Sequence, residues 1–182
     1  MAFATTAVPQ NADGVFIWVG SGDAATFPNA NTDNYSRILL IVGDKLQQEH
    51  LLQLQQTDAK ISVLQHAVAT EDGPAQLYRY NLNQFNSMQP ATGLLQLYPG
   101  LKLQEKSSVQ AISFATLVRE QQLASQDYHT LVFSAPAPAL PLLQSLAEQQ
   151  LLTLFSQLIV QTAAIELYQG AGTCQELESW LL

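Results

Sequence analysis

Two short runs built only of apolar residues, Val15–Val19 (VFIWV) and residues 38–42 (ILLIV), each stop at a glycine, Gly20 and Gly43. A strand with one wet face alternates apolar and polar side chains, whereas an unbroken apolar strand must be covered on both faces. Sheets buried on both sides are mostly parallel, with helices packed against them. The two runs therefore restrict the chain to an α/β architecture.

The remaining segments fit that frame. Residues 46–56 (LQQEHLLQLQQ) lack breakers and form a predicted helix on which Leu46, Leu51 and Leu54 share a face. Strands are expected at 60–67, 75–80 and 128–133, with a turn at Glu71-Asp72-Gly73-Pro74. Residues 81–99 are rich in Asn, Gln, Pro and Gly and read as mostly irregular, followed by an extended segment within 101–113. Helices are predicted at 114–124 and 140–155, and a further strand at 158–165. Thr173-Cys174-Gln175-Glu176 matches a capping box and opens a last helix that runs to Leu182. Strands alternating with helices of about ten residues indicate βαβ units around a mostly parallel sheet, with helices on both faces. Residues 1–12 read as a flexible lead-in and 13–182 as a single domain, a normal size for one core.

Composition narrows function. Charged residues are 12% of the chain, against about 25% in a typical soluble domain. Glutamine supplies much of the polarity, with 23 Gln against 7 Lys plus Arg. The net charge is −8. Displacing counterions from a phosphate backbone takes Lys and Arg, so nucleic acid is not an expected partner, and neither is an anionic membrane surface. The most apolar stretch, residues 131–143, holds three prolines and is too short to cross a bilayer. The opening MAFATTAVPQ has neither a basic nor a long apolar region, so no secretory leader is expected and a cytoplasmic location is. One cysteine, Cys174, and three scattered histidines, His50, His66 and His129, offer no metal-ligand spacing, and no metal is expected.

Candidate chemistry gathers where strands end. Gly20-Ser21-Gly22, with Asp23 next, follows the first strand, where a glycine turn lets backbone approach a ligand. It lacks the third glycine of a dinucleotide fingerprint, and the plain alternative is a tight turn. Asp44, after the second strand, stands where acidic residues accept from ribose hydroxyls; its alternative role is to begin the following helix. Ser134 follows a strand but has Ala and Pro neighbours rather than those of a nucleophile elbow. His66 and His129 lie in predicted strands and read as satisfied structural histidines. Cys174, in the first helical turn, is placed for a lowered pKa but has no neighbouring base. Glu176 and Glu178 read as cap and solvated face. The segment from Tyr78 to Ser87 is either a lip over the sheet or core plus loop. No catalytic residue is assigned.

The order of these pieces resembles the FkbM-type methyltransferases, a branch of the S-adenosylmethionine-dependent class with a Rossmann-like sheet. The resemblance rests on FIWVGSGDAATF (16–27), VLQHAVATEDGPAQLYRYN (63–81) and YHTLVFSAPAPALPLLQSL (128–146), and spans about residues 14–180. It implies a methyltransferase-like fold, with Gly20, Ser21, Gly22, Asp23 and Asp44 as the cofactor-binding positions. The departures are chemical. Where the family has an acid before the glycine turn, this chain has Trp18. The family's ribose-holding acid falls on Val42 or is displaced to Asp44. Of the family's K-I-D-V-E-G-A-E motif, the lysine becomes Val132, the aspartate Ser134 and the glutamates Pro136 and Ala139. The family's closing strand hairpin has no counterpart here, so either the chain is one piece of a longer protein or the sheet has an unfilled edge.

An unpaired buried polar group costs ~1–3 kcal/mol, so two or three lost contacts remove a hundredfold or more of cofactor affinity. The reading that follows is a methyltransferase-like domain without catalysis or bound cofactor. It acts as an interaction or scaffold module, in a glycan- or surface-polymer-related system if the analogy extends that far, with a homodimer mate or another protein covering the edge. The alternative is an active S-adenosylmethionine-dependent methyltransferase with divergent contacts. A third reading is a different α/β module for a nucleotide or small metabolite. A cavity at Trp18 and Asp44 too small for adenosine favours the first, and an open cleft over Gly20–Gly22 favours the others.

Overall fold

The computed structural model describes residues 13–20, 32–125, 128–134 and 137–182. Eight strands are present among them: β1 (Val15–Val19), β2 (Arg37–Val42), β3 (Ile61–Gln65), β4 (Ala67–Ala69), β5 (Gly73–Tyr80), β6 (Leu103–Ser113), β7 (His129–Phe133) and β8 (Phe155–Val160). The helices are α1 (Lys45–Thr57), α2 (Gly93–Leu97), α3 (Phe114–Glu120), α4 (Ala139–Glu148) and α5 (Cys174–Leu181). The expected lead-in at 1–12 lies outside the described residues.

Five strands form an all-parallel sheet in the order β3-β2-β1-β7-β8. The chain moves outward from β1 through β2 to β3, then returns to the other side of β1 with β7 and β8. That reversal is the topology of a Rossmann-like sheet, and ligands in such sheets bind at the carboxyl ends beside it. Every residue of β1 is buried, as its unbroken apolar run requires. Ile17, Leu39, Leu131 and Phe133 face Leu117 and Val118 of α3, Leu142, Leu143 and Leu146 of α4, and Leu177 of α5. Phe16, Trp18, Leu40 and Val132 face the other way, with Tyr35 and Leu51 of α1. Each such side chain, fully buried, contributes ~1.5–3 kcal/mol. Leu51 and Leu54 pack as the helix pattern predicts; the Leu46 side chain lies outside the described set.

A second, three-stranded sheet, β4-β6-β5, is inserted between β3 and β7. Only His66 separates β3 from β4, so the chain switches sheets within one residue. The turn acid Asp72 braces the far end of the insert. Its carboxylate accepts from the Ser113 amide at 2.6 Å and from Thr116 Oγ1 at 3.2 Å, where β6 runs into α3. A third cluster joins Tyr80, Ala91, Leu94, Leu101 and Tyr168. Burial, then the neighbouring Tyr80, pushes the Tyr168 phenol above its ordinary pKa.

Residues 81–99, expected to be mostly irregular, also hold the short helix α2, whose Gly93 amide donates to the Glu166 carbonyl at 3.0 Å. The bounds of three other elements are corrected. The helix expected at 140–155 ends at Glu148, because Gln150 takes a left-handed φ of 58° and the chain closes a Schellman motif. Its two bonds run from Gln150 N–H to Ala147 C=O and from Leu151 N–H to Leu146 C=O. Phe155 then begins β8, three residues before the predicted strand. β8 ends at Val160 rather than 165, since the following chain turns away to pair Tyr168 with Ala91. α3 stops early for a related reason, with Gln122 at φ 52°. Among the described residues, no helix is long and apolar enough to cross a membrane.

Candidate functional site

The carboxyl ends of β1, β2 and β3 meet the second sheet around a cavity of about 50 Å³. Gly20, Asp44, His66, Asn86, Ser87 and Pro138 are among the residues that line it. The structure thus brings together Gly20 and Asp44, two of the sequence-predicted positions. Ser21, Gly22 and Asp23 lie outside the described residues. Trp18 does not line the cavity. The lip reading of Tyr78–Ser87 holds in part, since Ser87 borders the cavity while its backbone bridges Tyr78.

Asp44 is 1% exposed. Its Oδ1 accepts from Arg79 NH2 at 3.2 Å, and its Oδ2 accepts from Arg79 Nε at 3.2 Å and Asn86 Nδ2 at 2.7 Å. The guanidinium grips both oxygens in the two-pronged geometry that suits a carboxylate. Asn86 is fixed in turn, its Oδ1 accepting from the Tyr80 amide at 2.8 Å. At its outer end Arg79 NH1 donates to Glu105 Oε2 at 3.2 Å and Ser107 Oγ at 3.0 Å. One arginine therefore ties the end of β2 to the second sheet. The hydrogen bond to Asp44 leads the interactions that hold the Arg79 guanidinium above its ordinary pKa. Ser107, then Arg79, holds the Glu105 carboxyl below the usual range.

Gly20 has φ +78° and donates its amide to the Ile41 carbonyl at 3.0 Å. A side chain there would be strained by the backbone and would touch Ser134 and Ala137 at 3.5 Å. The close approach that this glycine permits is used by the turn after β7, a protein segment. Ser134 is held as well. Its amide donates to the Val19 carbonyl at 3.0 Å, and its Oγ accepts from the Trp18 indole Nε1 at 2.6 Å.

The other candidates are structural. His129 is buried, with Nδ1 accepting from the Val15 amide at 3.0 Å, so the ring proton sits on Nε2 and donates to the Ala124 carbonyl at 2.9 Å. The Thr173–Glu176 capping box is complete in both directions, and the Thr173 amide and hydroxyl pull the Glu176 carboxyl below its usual pKa. Cys174 departs from expectation. Its thiol donates to Glu178 at 3.4 Å, which pushes the thiol pKa up rather than down. Among the described residues, no cluster of His, Cys, Asp or Glu is built to hold a metal.

Of the positions that the resemblance gives to S-adenosylmethionine, Gly20 and Asp44 are among the described residues. Pockets for molecules of that size run to about 300–1,000 Å³. Here the acid suited to a ribose holds an arginine and an asparagine, and the glycine contact is filled by Ser134 and Ala137. Arg79 and Asn86 lie in the segment read as a lip or as core plus loop, but sequence reading gave neither a role at the site, because neither belongs to a recognised motif. Fold and site together define an α/β protein with a Rossmann-like parallel sheet, whose strand-end acid Asp44 is paired to Arg79 and Asn86. No family model, curated protein or solved structure matches the chain.

Proposed function

We propose that the chain is a methyltransferase-like domain without catalysis, acting as a protein-interaction or scaffold module. The observation that carries this reading is the occupation of Asp44 by Arg79 and Asn86. An acid already satisfied by internal donors offers little to a ribose, and exchanging those donors for a ligand gains little net free energy. The filled contact at Gly20 points the same way. The alternative, an active S-adenosylmethionine-dependent methyltransferase, draws on one feature. The cavity lies at the reversal of strand order, where cofactors bind in sheets of this kind.

Thermal unfolding with S-adenosylmethionine and with S-adenosylhomocysteine separates the two. A ligand at 100 times its Kd adds ~2.7 kcal/mol, a rise of roughly 5–10 °C for a chain of this size. No shift is expected with either compound at millimolar concentration. A rise of that order with either one overturns the proposal in favour of the enzyme.

A further inference from the structure

A groove of about 460 Å³ lies between α4 and α5 and shares no lining residue with the strand-end cavity. Its lining follows from helical spacing. Leu140 and Gln144 stand four residues apart on α4 and share one row; on α5, Gln175 with Ser179 and Glu176 with Trp180 make two more. α5 is fixed independently of the groove. The Cys174 amide donates to the Ala163 carbonyl at 2.8 Å, and Leu177 is buried in the main core. Gly172, just before the helix, passes so close to α4 that a Cβ there would meet Leu140 Cδ2 at 2.9 Å. Leu140 and Trp180 are half-buried against the same core cluster, so the indole that borders the groove is also anchored from beneath.

The polar groups of the groove are open to a ligand. Among the described residues, the amides of Gln144 and Gln175 and the indole N–H of Trp180 have no protein partner. Glu176 Oε2 accepts from the Thr173 amide and hydroxyl, which leaves Oε1 as an acceptor. Ser179 Oγ donates to the Gln175 carbonyl at 2.7 Å and keeps its lone pairs. Each glutamine amide offers donors and an acceptor side by side, a mixture that suits hydroxyl groups, which also do both. No Lys or Arg lines the groove, which disfavours a phosphate or carboxylate ligand. One aromatic ring and one carboxylate fall short of the aromatic cages that take quaternary ammonium ions. The volume lies within the range that small ligands use, about 300–1,000 Å³.

We infer that this groove binds a neutral saccharide, with a sugar ring against the Trp180 indole and its hydroxyls bonded to Gln144, Gln175, Glu176 and Ser179. A sugar ring has a face of C–H groups and an edge of hydroxyls. An amphipathic indole flanked by amides matches both. The inference goes beyond the interaction-module reading and does not depend on the strand-end crevice, since a domain with or without catalysis can hold a saccharide here.

The chain's two tryptophans make the test specific. Trp18 is buried with its indole bonded to Ser134, whereas Trp180 borders the groove, so their indole N–H signals report separately in a nitrogen–proton correlation spectrum. The titrants are the methyl glycosides of glucose, galactose, mannose and N-acetylglucosamine, together with maltose and cellobiose. At least one is expected to move the Trp180 signal and leave that of Trp18 in place, with a Kd on the order of 1 mM for a shallow site. Gln144→Leu and Gln175→Leu change groups without protein partners, so the rest of the spectrum should stay native while each weakens binding about fivefold or more. If one variant does not fold, the other carries the test. A Trp180 signal that none of these sugars moves at tens of millimolar overturns the inference. So does binding that the folded glutamine variants retain in full, or a response to choline chloride with the sugars silent, which makes the groove a cation site. Sugar binding together with a thermal shift from S-adenosylmethionine keeps the groove and defeats the non-catalytic reading. Silence toward sugars with no such shift does the reverse.

Discussion

The indole Nε1 of Trp18 donates to Ser134 Oγ at 2.6 Å, joining the middle of β1 to the turn that follows β7. Both groups are buried. These are two of the positions where the methyltransferase resemblance places carboxylates, and here they satisfy each other.

Trp18→Phe leaves the Ser134 hydroxyl without its donor and opens space in a filled core. The expected loss is ~2–4 kcal/mol, combining an unpaired polar group with lost packing. Adding Ser134→Ala removes the orphaned hydroxyl, so the double variant should be no less stable than Trp18→Phe alone. Urea unfolding of the four proteins gives the coupling, and strict additivity would count against the pairing.

Arg79→Met leaves the Asp44 carboxylate buried without its guanidinium. Breaking a buried pair costs ~3–5 kcal/mol; because the Arg79 side chain is 25% exposed and solvent screens it, a smaller loss of ~2–3 kcal/mol is expected. Glu105→Gln, at the solvent end of the same arginine, should fall within about 0.5 kcal/mol of native. Equal losses in the two variants would show that the buried half of the network is not the part that matters.

The capping box sets a pH dependence. Glu176 titrates lower in the folded chain than in the unfolded one. Its stabilising effect is therefore complete above the unfolded carboxyl value of about 4.3 and is lost as pH falls through the folded value. Glu176→Gln should unfold at lower urea than native at pH 7, and the two midpoints should converge as pH falls below the folded-state value. Midpoints that stay apart to pH 2 would assign the difference to something other than this ionisation.

Gln150 holds a left-handed conformation that costs a side-chain-bearing residue ~1 kcal/mol or more relative to glycine. It is exposed, and its role in the Schellman motif is made by the backbone. Gln150→Gly should stabilise by ~0.5–1 kcal/mol, raising Tm by roughly 1–4 °C. A lower Tm would mean that the Gln150 side chain contributes to the end of α4.

The parts of the fold readable from sequence are those with one strong local cause. β1 and all of β2 after Arg37 are continuous apolar runs, and the start of α5 is a capping box whose two halves are three residues apart. The end of α4 was not readable, because a glutamine stands where glycine usually marks the stop. The start of β8 was hidden in LLTLFSQLIV, an apolar run that suits helix and strand equally. In the site, Gly20 and Asp44 were legible from their places after strands. Arg79 and Asn86 were not, because they reach Asp44 across 35 and 42 residues, and only after the inserted sheet has formed.

The strand order also has a consequence for synthesis. β1 lies at the centre of the sheet, yet the His129 ring that caps its Val15 amide is 114 residues downstream. At ribosomal rates of about 5–20 residues per second, β1 waits ~6–23 s for the neighbour that covers its second edge. During that interval a fully apolar strand has only β2 beside it. The nascent chain is most exposed to misassociation at its most buried element, and that hazard ends only when β7 arrives.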